Sequence, residues 1–325
     1  MSNTNGMFDV IQGDLEELEE RLLEAVSSPE EIVQEIGTHL VTAGGKRIRP
    51  ALCLLAAHGS RNFDLERILP LATALELIHT ASLVHDDVID EAGTRRGVPT
   101  ANAKWGNHIS ILSGDYIFAQ AFRLVSMGDY GSYVYRRLAE LVGNLSTGEI
   151  IQNRQAYTAS RDLEGYYSRI QKKTADFLEI SSELGGFVSG MAPEETQGLA
   201  RYGHCIGMAF QITDDLLDIE QTEERIGKPA GNDIRQGIAT LPVIRALMES
   251  EEREELAAIV SDPAMTEEMV KRAIAIVKAG DGVSFAKDKA DEYLENARKA
   301  LPEALPSEVR EAFLMVADFI GKRDF

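Results

Sequence analysis

The chain repeats one acidic pattern twice, and each copy follows an apolar run. The first acidic motif is Asp86-Asp87-Val88-Ile89-Asp90, and the second is Asp214-Asp215-Leu216-Leu217-Asp218. On a helix, carboxylates at positions i and i+4 project from one face about one turn apart, where their charges repel each other. A cation relieves this repulsion, and hard oxygen ligands favour Mg²⁺ over Zn²⁺ while leaving Mn²⁺ open. Because Mg²⁺ usually completes its shell with phosphate oxygens, the two motifs predict one polyphosphate bound from both sides.

A solvated helix face is the competing explanation for each motif, since acidic pairs are common on such faces. The residues before the motifs disfavour it. Ala81-Ser82-Leu83-Val84 precedes the first motif and Met208-Ala209-Phe210 precedes the second, where a solvated face normally carries mixed charge. Two copies in the same apolar context therefore indicate metal binding more strongly than either copy alone.

Charge and cysteine content exclude several classes of protein. The net charge is 33 − 53 = −20, which argues against nucleic acid as a partner and provides no general basic surface for anionic lipid. Cys53 and Cys205 are far apart in apolar surroundings, so we expect neither a disulfide framework nor a zinc site, and a reducing cytoplasm fits. Residues 1–14 form a polar, acidic and flexible segment without the features of a signal peptide. No apolar run approaches the roughly 20 residues that span a bilayer, so we expect at most peripheral membrane contact.

The pattern of the long segments predicts an all-α protein. Ala, Leu, Glu and Arg fill these segments, period-2 runs of β-branched residues are scarce, and no linker divides the chain. We therefore predict one large helical domain over residues 1–325, with loops at 93–100 and 227–237. The predicted helices are 15–26, 30–40, 49–58, 66–90, 103–127, 133–157, 163–188, 194–220, 240–250 and three more segments before the C-terminus.

Basic residues cluster near glycines and near the acidic motifs. The segment Gly44-Gly45-Lys46-Arg47-Ile48-Arg49 places three cations after two flexible residues, although it lacks the spacing of a P-loop. Arg95-Arg96 follows the first acidic motif, Lys172-Lys173 lies mid-chain, and Lys228 follows the second acidic motif. A Lys/Arg cluster alone is usually solvated, but together these cations and the metal sites predict binding of two separate diphosphates.

These residues resemble the all-trans isoprenyl diphosphate synthases, also called polyprenyl synthetases, over nearly the whole chain from Gly44 onward. The segments that carry the resemblance, in order, are GGKRIRP (44–50), ELIHTASLVHDDVIDEAGTRRG (76–97), GDY (114–116), KKTA (172–175), FQITDDLLD (210–218) and GKPAGNDIRQGIATLP (227–242). The resemblance implies an all-helical, typically dimeric protein with a deep central cavity between two Asp-rich helices. It also implies head-to-tail elongation, in which an allylic diphosphate ionises, alkylates isopentenyl diphosphate, and loses a proton to the departing diphosphate.

The resemblance assigns a role to each matching position. Asp86, Asp87 and Asp90, with Asp214 and Asp218, would hold Mg²⁺ on the allylic diphosphate. Cations in contact with that diphosphate would be Arg95, Lys173 and Lys228. The diphosphate of isopentenyl diphosphate would be bound by Lys46, Arg49, His79 and Arg96, with Phe210 near its hydrocarbon part. Thr174 and Gln211 would lie near the reacting carbons and stabilise the cation.

Two of these assignments have structural competitors, and the chain departs from the family at one position. His79 on an apolar helix also suits a hydrogen-bonded core histidine. Gln211, one turn before Asp214, also suits a helix-stabilising pair. Where many relatives carry a Lys before Thr-Leu-Pro, this chain has Gly237-Ile238-Ala239-Thr240, which leaves one auxiliary phosphate contact in doubt.

Small residues before the first acidic motif predict a long product. Bulky residues one or more turns before Asp86 would stop a growing tail, and short-chain members of the family often have aromatic residues there. Here Ala81 and Ser82 occupy these positions, while Phe118 or Phe122 would form a deeper floor. The resemblance then implies a hexaprenyl to decaprenyl product, suited to a quinone side chain.

Several alternatives stay open from the sequence. A geranylgeranyl or farnesyl diphosphate synthase shares the chemistry and differs only in tunnel depth. The chain also fits the catalytic subunit of a two-component heptaprenyl diphosphate synthase with a small regulatory partner, or a non-catalytic binding partner. A terpene cyclase needs no second diphosphate site, so the GGKR segment and the paired arginines weigh against it.

Overall fold

Helices account for nearly all regular structure in the computed structural model, which describes residues 6–220 and 230–322. A short 3₁₀ turn, Asp9–Ile11, precedes the first α-helix. The helices are α1 (Gln12–Ala25), α2 (Glu31–Thr42), α3 (Ile48–His58), α4 (Leu65–Ile89), α5 (Ala101–Met127), α6 (Gly131–Gln155), α7 (Leu163–Ile170), α8 (Asp176–Val188), α9 (Pro193–Glu220), α10 (Asn232–Arg235), α11 (Leu241–Glu249), α12 (Arg253–Val260), α13 (Glu267–Ala279), α14 (Gly282–Ala300) and α15 (Ser307–Gly321). A π-helical turn, Gln171–Ala175, joins α7 to α8. The strands β1 (Thr94–Arg95) and β2 (Val98–Pro99) form a small hairpin. The predicted all-α fold is confirmed.

The chain divides into two compact units, each assembled from several stretches of sequence. The first unit comprises Met1–Val142, Ile180–Ala200 and Pro302–Phe313, and the second comprises Gly143–Glu179, Arg201–Leu301 and Leu314–Phe325. The helices α6, α8, α9 and α15 contribute residues to both units. This interleaving explains why no linker is visible in the sequence. That the whole chain forms one domain stays a prediction.

In the first unit, α4 is buried on almost all sides because its residues are apolar around the whole helix. It packs against α5, α3 and α1. The approach of α5 to α4 is close, since a Cβ on Gly114 would overlap the His85 ring, so any larger residue there would require that ring to move. Gly106, at φ 81°, kinks α5 near its start.

By length and composition α4 also meets the criterion for a membrane-spanning helix, contrary to the expectation that no apolar run is long enough. In its most apolar 18-residue window, 67% is buried inside the protein, as in the core helix of a soluble protein. A single such helix is weak evidence for a membrane span.

The second unit has its own core, built around α9 and α11. Tyr166 of α7, Ile212 and Leu216 of α9, and Ile244 of α11 are buried in one hydrophobic cluster. Helix α11 packs against α12, α13 and α14, and α13 packs against α12 and α14. These contacts bury the apolar face of each amphipathic helix, which supplies most of the stability of short helices such as α11 and α12.

The observed elements differ from the predicted ones in several places. The predicted helix 163–188 is divided into α7, the π-helical turn and α8, and the predicted loop 93–100 contains the β1–β2 hairpin. The described chain beyond Ser250 contains four helices, α12 to α15, where three were predicted, because only two residues separate α13 from α14. The predicted loop 227–237 contains the short helix α10 in its described part. Residues 6–14 form packed helical turns with Met7, Phe8 and Ile11 buried, in place of the predicted flexible segment.

Candidate active site

The first acidic motif lies at the C-terminal end of α4. Asp86 is half-buried, Asp87 is only 5% exposed, and Asp90 is the exposed C-cap. Carboxylates are disfavoured at a helix C-terminus, where the unpaired carbonyl groups already carry partial negative charge. Three of them there raise the local negative potential further, so this end of α4 is suited to a cation.

The hairpin after α4 places Arg95 against the first acidic motif. Arg95 Nε donates a hydrogen bond of 2.7 Å to Asp87 Oδ1. Asn102 Nδ2 donates to the backbone carbonyls of Asp87 and Ala92, and Thr100 Oγ1 also donates to Ala92. These bonds attach the start of α5 and the end of the hairpin to the end of α4, which fixes the direction of the Arg95 side chain.

A second group of cations lies in the same unit. Arg49 Nη1 donates to His79 Nε2 at 3.1 Å, so that ring nitrogen must be an acceptor and His79 is neutral. The Arg96 guanidinium lies beside the GGKR loop, where a Cβ on Gly45 would be 2.8 Å from Arg96 Nη1. Arg96 and Gly97 both have positive φ, 53° and 79°, as the tight hairpin turn between β1 and β2 requires. The turn thus directs Arg96 toward the loop that carries Lys46.

Burial and like charge destabilise the charged forms in this group. Burial, followed by the charge of Arg49, lowers the pKa of His79 well below its ordinary value. Burial also lowers the pKa of Arg49 to about 10 and lowers the pKa of Arg96, with the neighbouring arginines adding to the effect. An anion bound among these side chains would reverse the electrostatic penalty, as expected for a diphosphate site.

The side chains of the adjacent residues Lys46 and Arg47 differ in burial and in direction. Lys46 is half-buried, whereas Arg47 is turned into the protein, where it forms ion pairs with Glu19 at 2.6 Å and Glu76 at 2.8 Å. Arg47 therefore has a structural role.

A small pocket of the first unit is lined by Glu76, His79, Asp87, Arg95 and Arg96. Residues predicted to bind the allylic diphosphate and residues predicted to bind isopentenyl diphosphate therefore meet in this pocket.

In the second unit, the second acidic motif is connected to Thr174 by hydrogen bonds. Thr174 Oγ1 donates to Gln211 Oε1 at 2.8 Å, and Gln211 Nε2 donates to Asp215 Oδ1 at 3.0 Å. Tyr166 donates its hydroxyl to the other Asp215 oxygen at 2.7 Å. Thr174 lies in the π-helical turn, a local distortion that is frequent at functional sites. The structure therefore brings Thr174 and Gln211 into contact, while their proposed role near the reacting carbons stays a prediction.

Three acids crowd the end of α9, of which Asp215 is buried and Asp218 and Asp233 are half-buried. Asp218 accepts the backbone N–H groups of Asn232 and Asp233 at the start of α10, at 2.9 and 3.0 Å. Burial raises the pKa of Asp215 to about 6 and raises the pKa of Asp218. Burial and the charges of both acids also raise the pKa of Asp233 well above its ordinary value. Mutual repulsion of this kind is what a bound cation relieves.

The remaining predicted residues have the following positions. Lys173 forms an ion pair of 2.6 Å with Glu149 of α6. Asp214 and Phe210 are half-buried on α9. Lys228 lies outside the described residues. The roles of all predicted site residues stay predictions.

Sequence reasoning missed four residues beside the second acidic motif. Tyr166 and Glu149 bond to Asp215 and Lys173, and no local signal in the sequence marks either of them. Arg169 is buried and donates to the Ala239 carbonyl at 2.9 Å, and its charge partly offsets the burial that raises the pKa of Asp215. Asp233 lies in the GNDIRQG segment, where an acidic residue between two glycines, Gly231 and Gly237, was the available signal.

Comparisons with known proteins decide the family. The Polyprenyl synthetase family profile matches residues 30–277. The chain belongs to the polyprenyl synthetase family. Heptaprenyl diphosphate synthase component 2 of Geobacillus stearothermophilus is 40% identical over 320 residues, covering 98% of both proteins.

Solved structures of polyprenyl synthetases share the fold. A decaprenyl diphosphate synthase from Rhodobacter capsulatus has a TM-score of 0.91 at 34% identity, covering 98% of both chains. A polyprenyl synthase from Caulobacter crescentus CB15, complexed with calcium and isoprenyl diphosphate, has a TM-score of 0.90 at 32% identity, covering 99% of this chain and 98% of that one. Polyprenyl synthetases are prenyltransferases that depend on divalent metal ions, and this chain is a prenyltransferase of that family.

The acidic residues of this chain fit a divalent metal ion. Carboxylate oxygens are the ligands that Mg²⁺ and Ca²⁺ prefer. The first motif concentrates them at a helix C-terminus, and in the second motif desolvation raises the pKa values of Asp215 and Asp218. Without a cation, both arrangements raise the electrostatic free energy of the folded chain, and a bound divalent ion would lower it.

Proposed function

We propose that the chain catalyses Mg²⁺-dependent, head-to-tail condensation of isopentenyl diphosphate with an allylic diphosphate such as farnesyl diphosphate. The observation that carries this proposal is the pairing of two different anion-binding groups in the first unit. One combines the carboxylates of the first acidic motif with Arg95, and the other combines Arg49, His79 and Arg96 without a carboxylate motif. The first suits a metal-bound diphosphate, and the second suits a diphosphate bound by guanidinium groups and a neutral imidazole without a metal ion. An enzyme that joins two diphosphate substrates needs both, whereas a terpene cyclase needs only the first.

Charge neutralisation is the main task of the site residues. In the slow step the allylic C–O bond breaks and its electron pair leaves with the diphosphate. Arg95 of the first unit and Lys173 of the second would each lower the energy of that negative charge by exchanging the present partner, Asp87 or Glu149, for a diphosphate oxygen. Mg²⁺ bound by Asp86, Asp87, Asp90, Asp214 and Asp218 would supply further electrostatic stabilisation of the leaving group.

The allylic carbocation is stabilised by nearby oxygen lone pairs, provided that the oxygen atoms do not form a bond to it. Because Thr174 Oγ1 donates its proton to Gln211 Oε1, the lone pairs of the hydroxyl oxygen remain available to face positive charge. Gln211 is held in turn by Asp215, so its amide cannot rotate freely. The double bond of isopentenyl diphosphate then attacks the cation, and the proton lost from the adduct passes to the departed diphosphate.

The product is proposed to be of medium or long chain, hexaprenyl to decaprenyl, for use as a quinone side chain. Two observations support it. Ala81, the predicted first gate, is small and fully buried on α4, and Ser82 beside it is half-buried. Heptaprenyl and decaprenyl synthases are among the similar proteins. A geranylgeranyl or farnesyl diphosphate synthase is the alternative with the same chemistry.

A two-component enzyme is the second candidate, because the Geobacillus relative is named as component 2 of its synthase. In that case this chain would be the catalytic subunit of a heterodimer with a small partner. Self-association is the competing assembly, and it is supported by large apolar side chains exposed on α5, including Ile111, Leu112 and Met127.

We further propose a cytoplasmic location with at most peripheral membrane contact.

The experiment is to incubate the purified chain with Mg²⁺, farnesyl diphosphate and labelled isopentenyl diphosphate, and to size the dephosphorylated products. Products of thirty or more carbons are expected. A largest product of twenty carbons would support the proposed condensation reaction but overturn the proposal of a medium or long product. Incorporation that appears only after a small partner subunit is added would establish the two-component enzyme, and no incorporation under either condition would overturn the proposed function.

A further inference from the structure

The second unit contains a cluster of potential metal ligands outside the proposed active site. Asp176 and Glu179 lie one turn apart on α8, and His204 lies on α9. One ligand atom from each side chain lies within 4.8 Å of the other two. We propose that Asp176, Glu179 and His204 bind a divalent transition-metal ion such as Zn²⁺, separately from the metal ions of the two acidic motifs.

The distances require only small movements for coordination. Tetrahedral Zn²⁺ with bonds of about 2.0–2.2 Å places its ligand atoms about 3.4 Å apart. His204 Nδ1 and Glu179 Oε2 are already 3.2 Å apart, joined by a hydrogen bond in which the ring nitrogen donates. Metal binding would displace that proton, as is usual for a histidine ligand. The side chains of His204 and Glu179 are partly exposed, so rotation about their side-chain bonds can close the remaining gap to Asp176.

Asp176 has the surroundings of an anchored ligand. It is 7% exposed, and Asn144 Nδ2 of α6 donates to its Oδ2 at 2.7 Å. Burial raises the pKa of Asp176, and the charge of Glu179 adds to this, so a positive ion at the cluster would stabilise both carboxylates. Hydrogen bonds that orient a ligating carboxylate are a regular feature of metal sites.

The ligand set selects the kind of ion. An imidazole nitrogen together with two carboxylates suits first-row transition ions, whereas Mg²⁺ and Ca²⁺ prefer oxygen alone. Metal sites inside helical bundles likewise combine two ligands at i and i+3 on one helix with ligands from neighbouring helices. The cluster therefore differs in chemistry from the all-oxygen acidic motifs.

A metal ion here would connect the helices that carry Thr174 and Gln211. Thr174 precedes Asp176 by two residues, and His204 precedes Gln211 by seven, about 10 Å along α9. The two segments are in close contact, since a Cβ on Gly207 would lie 2.5 Å from the Ala175 Cα. An ion bound to both α8 and α9 would hold the two helices at a fixed distance, and this would restrain the nearby Thr174–Gln211 hydrogen bond.

The test uses the full-length chain after treatment with a chelator, with excess Mg²⁺ present to saturate the acidic motifs. Titration with Co²⁺, followed by its visible absorption, is expected to show one equivalent that Zn²⁺ displaces. His204→Ala and Asp176→Asn should abolish this signal, and Asn144→Ala should weaken binding by about 10- to 100-fold. Asp86→Ala and Asp214→Ala should keep it.

The matched control is His58→Ala. His58 is also a half-buried histidine paired with a carboxylate, at 2.6 Å from Asp14, but that pair is not part of any three-ligand cluster among the described residues. This variant should bind Co²⁺ as the wild-type chain does. Retention of the signal in His204→Ala would overturn the proposal, as would its loss in Asp214→Ala. Glu179→Gln, which preserves shape and partial exposure, replaces His204→Ala if that variant does not fold, and unchanged Co²⁺ affinity in it would likewise refute the site.

Discussion

The neutral state of His79 follows from the groups around its ring. A guanidinium has no acceptor, so the Arg49 contact is possible only if His79 Nε2 is unprotonated. The sequence left open whether His79 is a core histidine or a diphosphate ligand. The structure combines features of both, because the ring is hydrogen-bonded by Arg49 and also lines the pocket that contains Arg95 and Arg96.

This environment predicts a pH-dependent loss of stability. Burial and the arginines lower the pKa of His79 in the folded chain below its unfolded value of about 6.5. Above that pH the His79 ring is neutral in both the folded and the unfolded chain, so its titration does not lower the free energy of unfolding. As the pH falls below about 6.5, only the unfolded chain takes up the proton, so folding loses up to about 1.4 kcal/mol per pH unit. Urea unfolding of wild type and His79→Gln at about pH 7.5 and about pH 5.5 should show the smaller decrease in the variant. Parallel decreases would contradict the assignment.

The hydrogen bond from Thr174 to Gln211 predicts a kinetic effect. Thr174→Val keeps the shape of the side chain but removes the hydroxyl oxygen proposed to face the cation, so kcat should fall by about 100-fold. KM for isopentenyl diphosphate should change little, because its diphosphate is assigned to other residues. Thr174→Ser is the matched control, since it keeps the hydroxyl and should retain most of the activity. A fall in Thr174→Ser equal to that in Thr174→Val would show that packing of the methyl group, and not the oxygen, is responsible.

Neighbouring residues show where residue-level prediction from sequence ends. Arg47 and Arg49 look equivalent in the GGKRIRP segment, yet Arg47 points toward Glu19 and Glu76 and Arg49 toward His79. The difference arises from the left-handed backbone of Arg47, at φ 50°, where α3 begins. The partners Glu19 and Glu76 are 28 and 29 residues away, and local patterns carry no information about contacts at that range.

At the scale of elements, long apolar helices were predictable and short irregular ones were not. Helix α4 was predicted to within one residue at each end, because its apolar content and acidic end are both strong signals. The hairpin β1–β2 was assigned to a loop, since two-residue strands have no periodicity and its turn uses Arg96 at positive φ in a position typical of Asn or Gly. Helix α10 was missed because four residues are too few to show a helical pattern.

Helix α4 also carries the prediction about product length. Ala81→Phe should shorten the product, because a ring one turn before the first acidic motif would block a tail that grows along the helix. The matched control is Ala72→Phe. Ala72 is as fully buried on α4, but nine residues earlier it lies on the opposite face of the helix. Both changes should cost about 1–3 kcal/mol through overpacking.

Only Ala81→Phe should change the size distribution of dephosphorylated products, measured with farnesyl diphosphate as primer. An unchanged distribution would remove Ala81 as a gate. Equal shortening by Ala72→Phe would attribute the effect to distortion of α4.

For the molecule as a whole, surface charge and exposed apolar side chains act in opposite directions on self-association. Each chain carries a net charge of −20, so two copies repel at low ionic strength. Ile111 and Leu112 on α5 are 44% and 63% exposed, and covering them against a second copy would release apolar surface from water. If the proposed homodimer forms through this face, added salt should strengthen it by screening the repulsion.

Replacing Ile111 and Leu112 together by Glu should therefore convert the dimer to a monomer, because the change removes apolar area and adds two negative charges to an acidic chain. Ile32→Glu is the control, since Ile32 is exposed to the same extent as Ile111, 44%, but belongs to a different helix, α2. Light scattering coupled to size-exclusion chromatography, at low and high salt, gives the mass of each variant. A wild-type chain that is monomeric at every salt concentration would contradict the homodimer. If such a chain also incorporates isopentenyl diphosphate only with a small partner subunit, the exposed face of α5 becomes the first surface to test for binding that subunit.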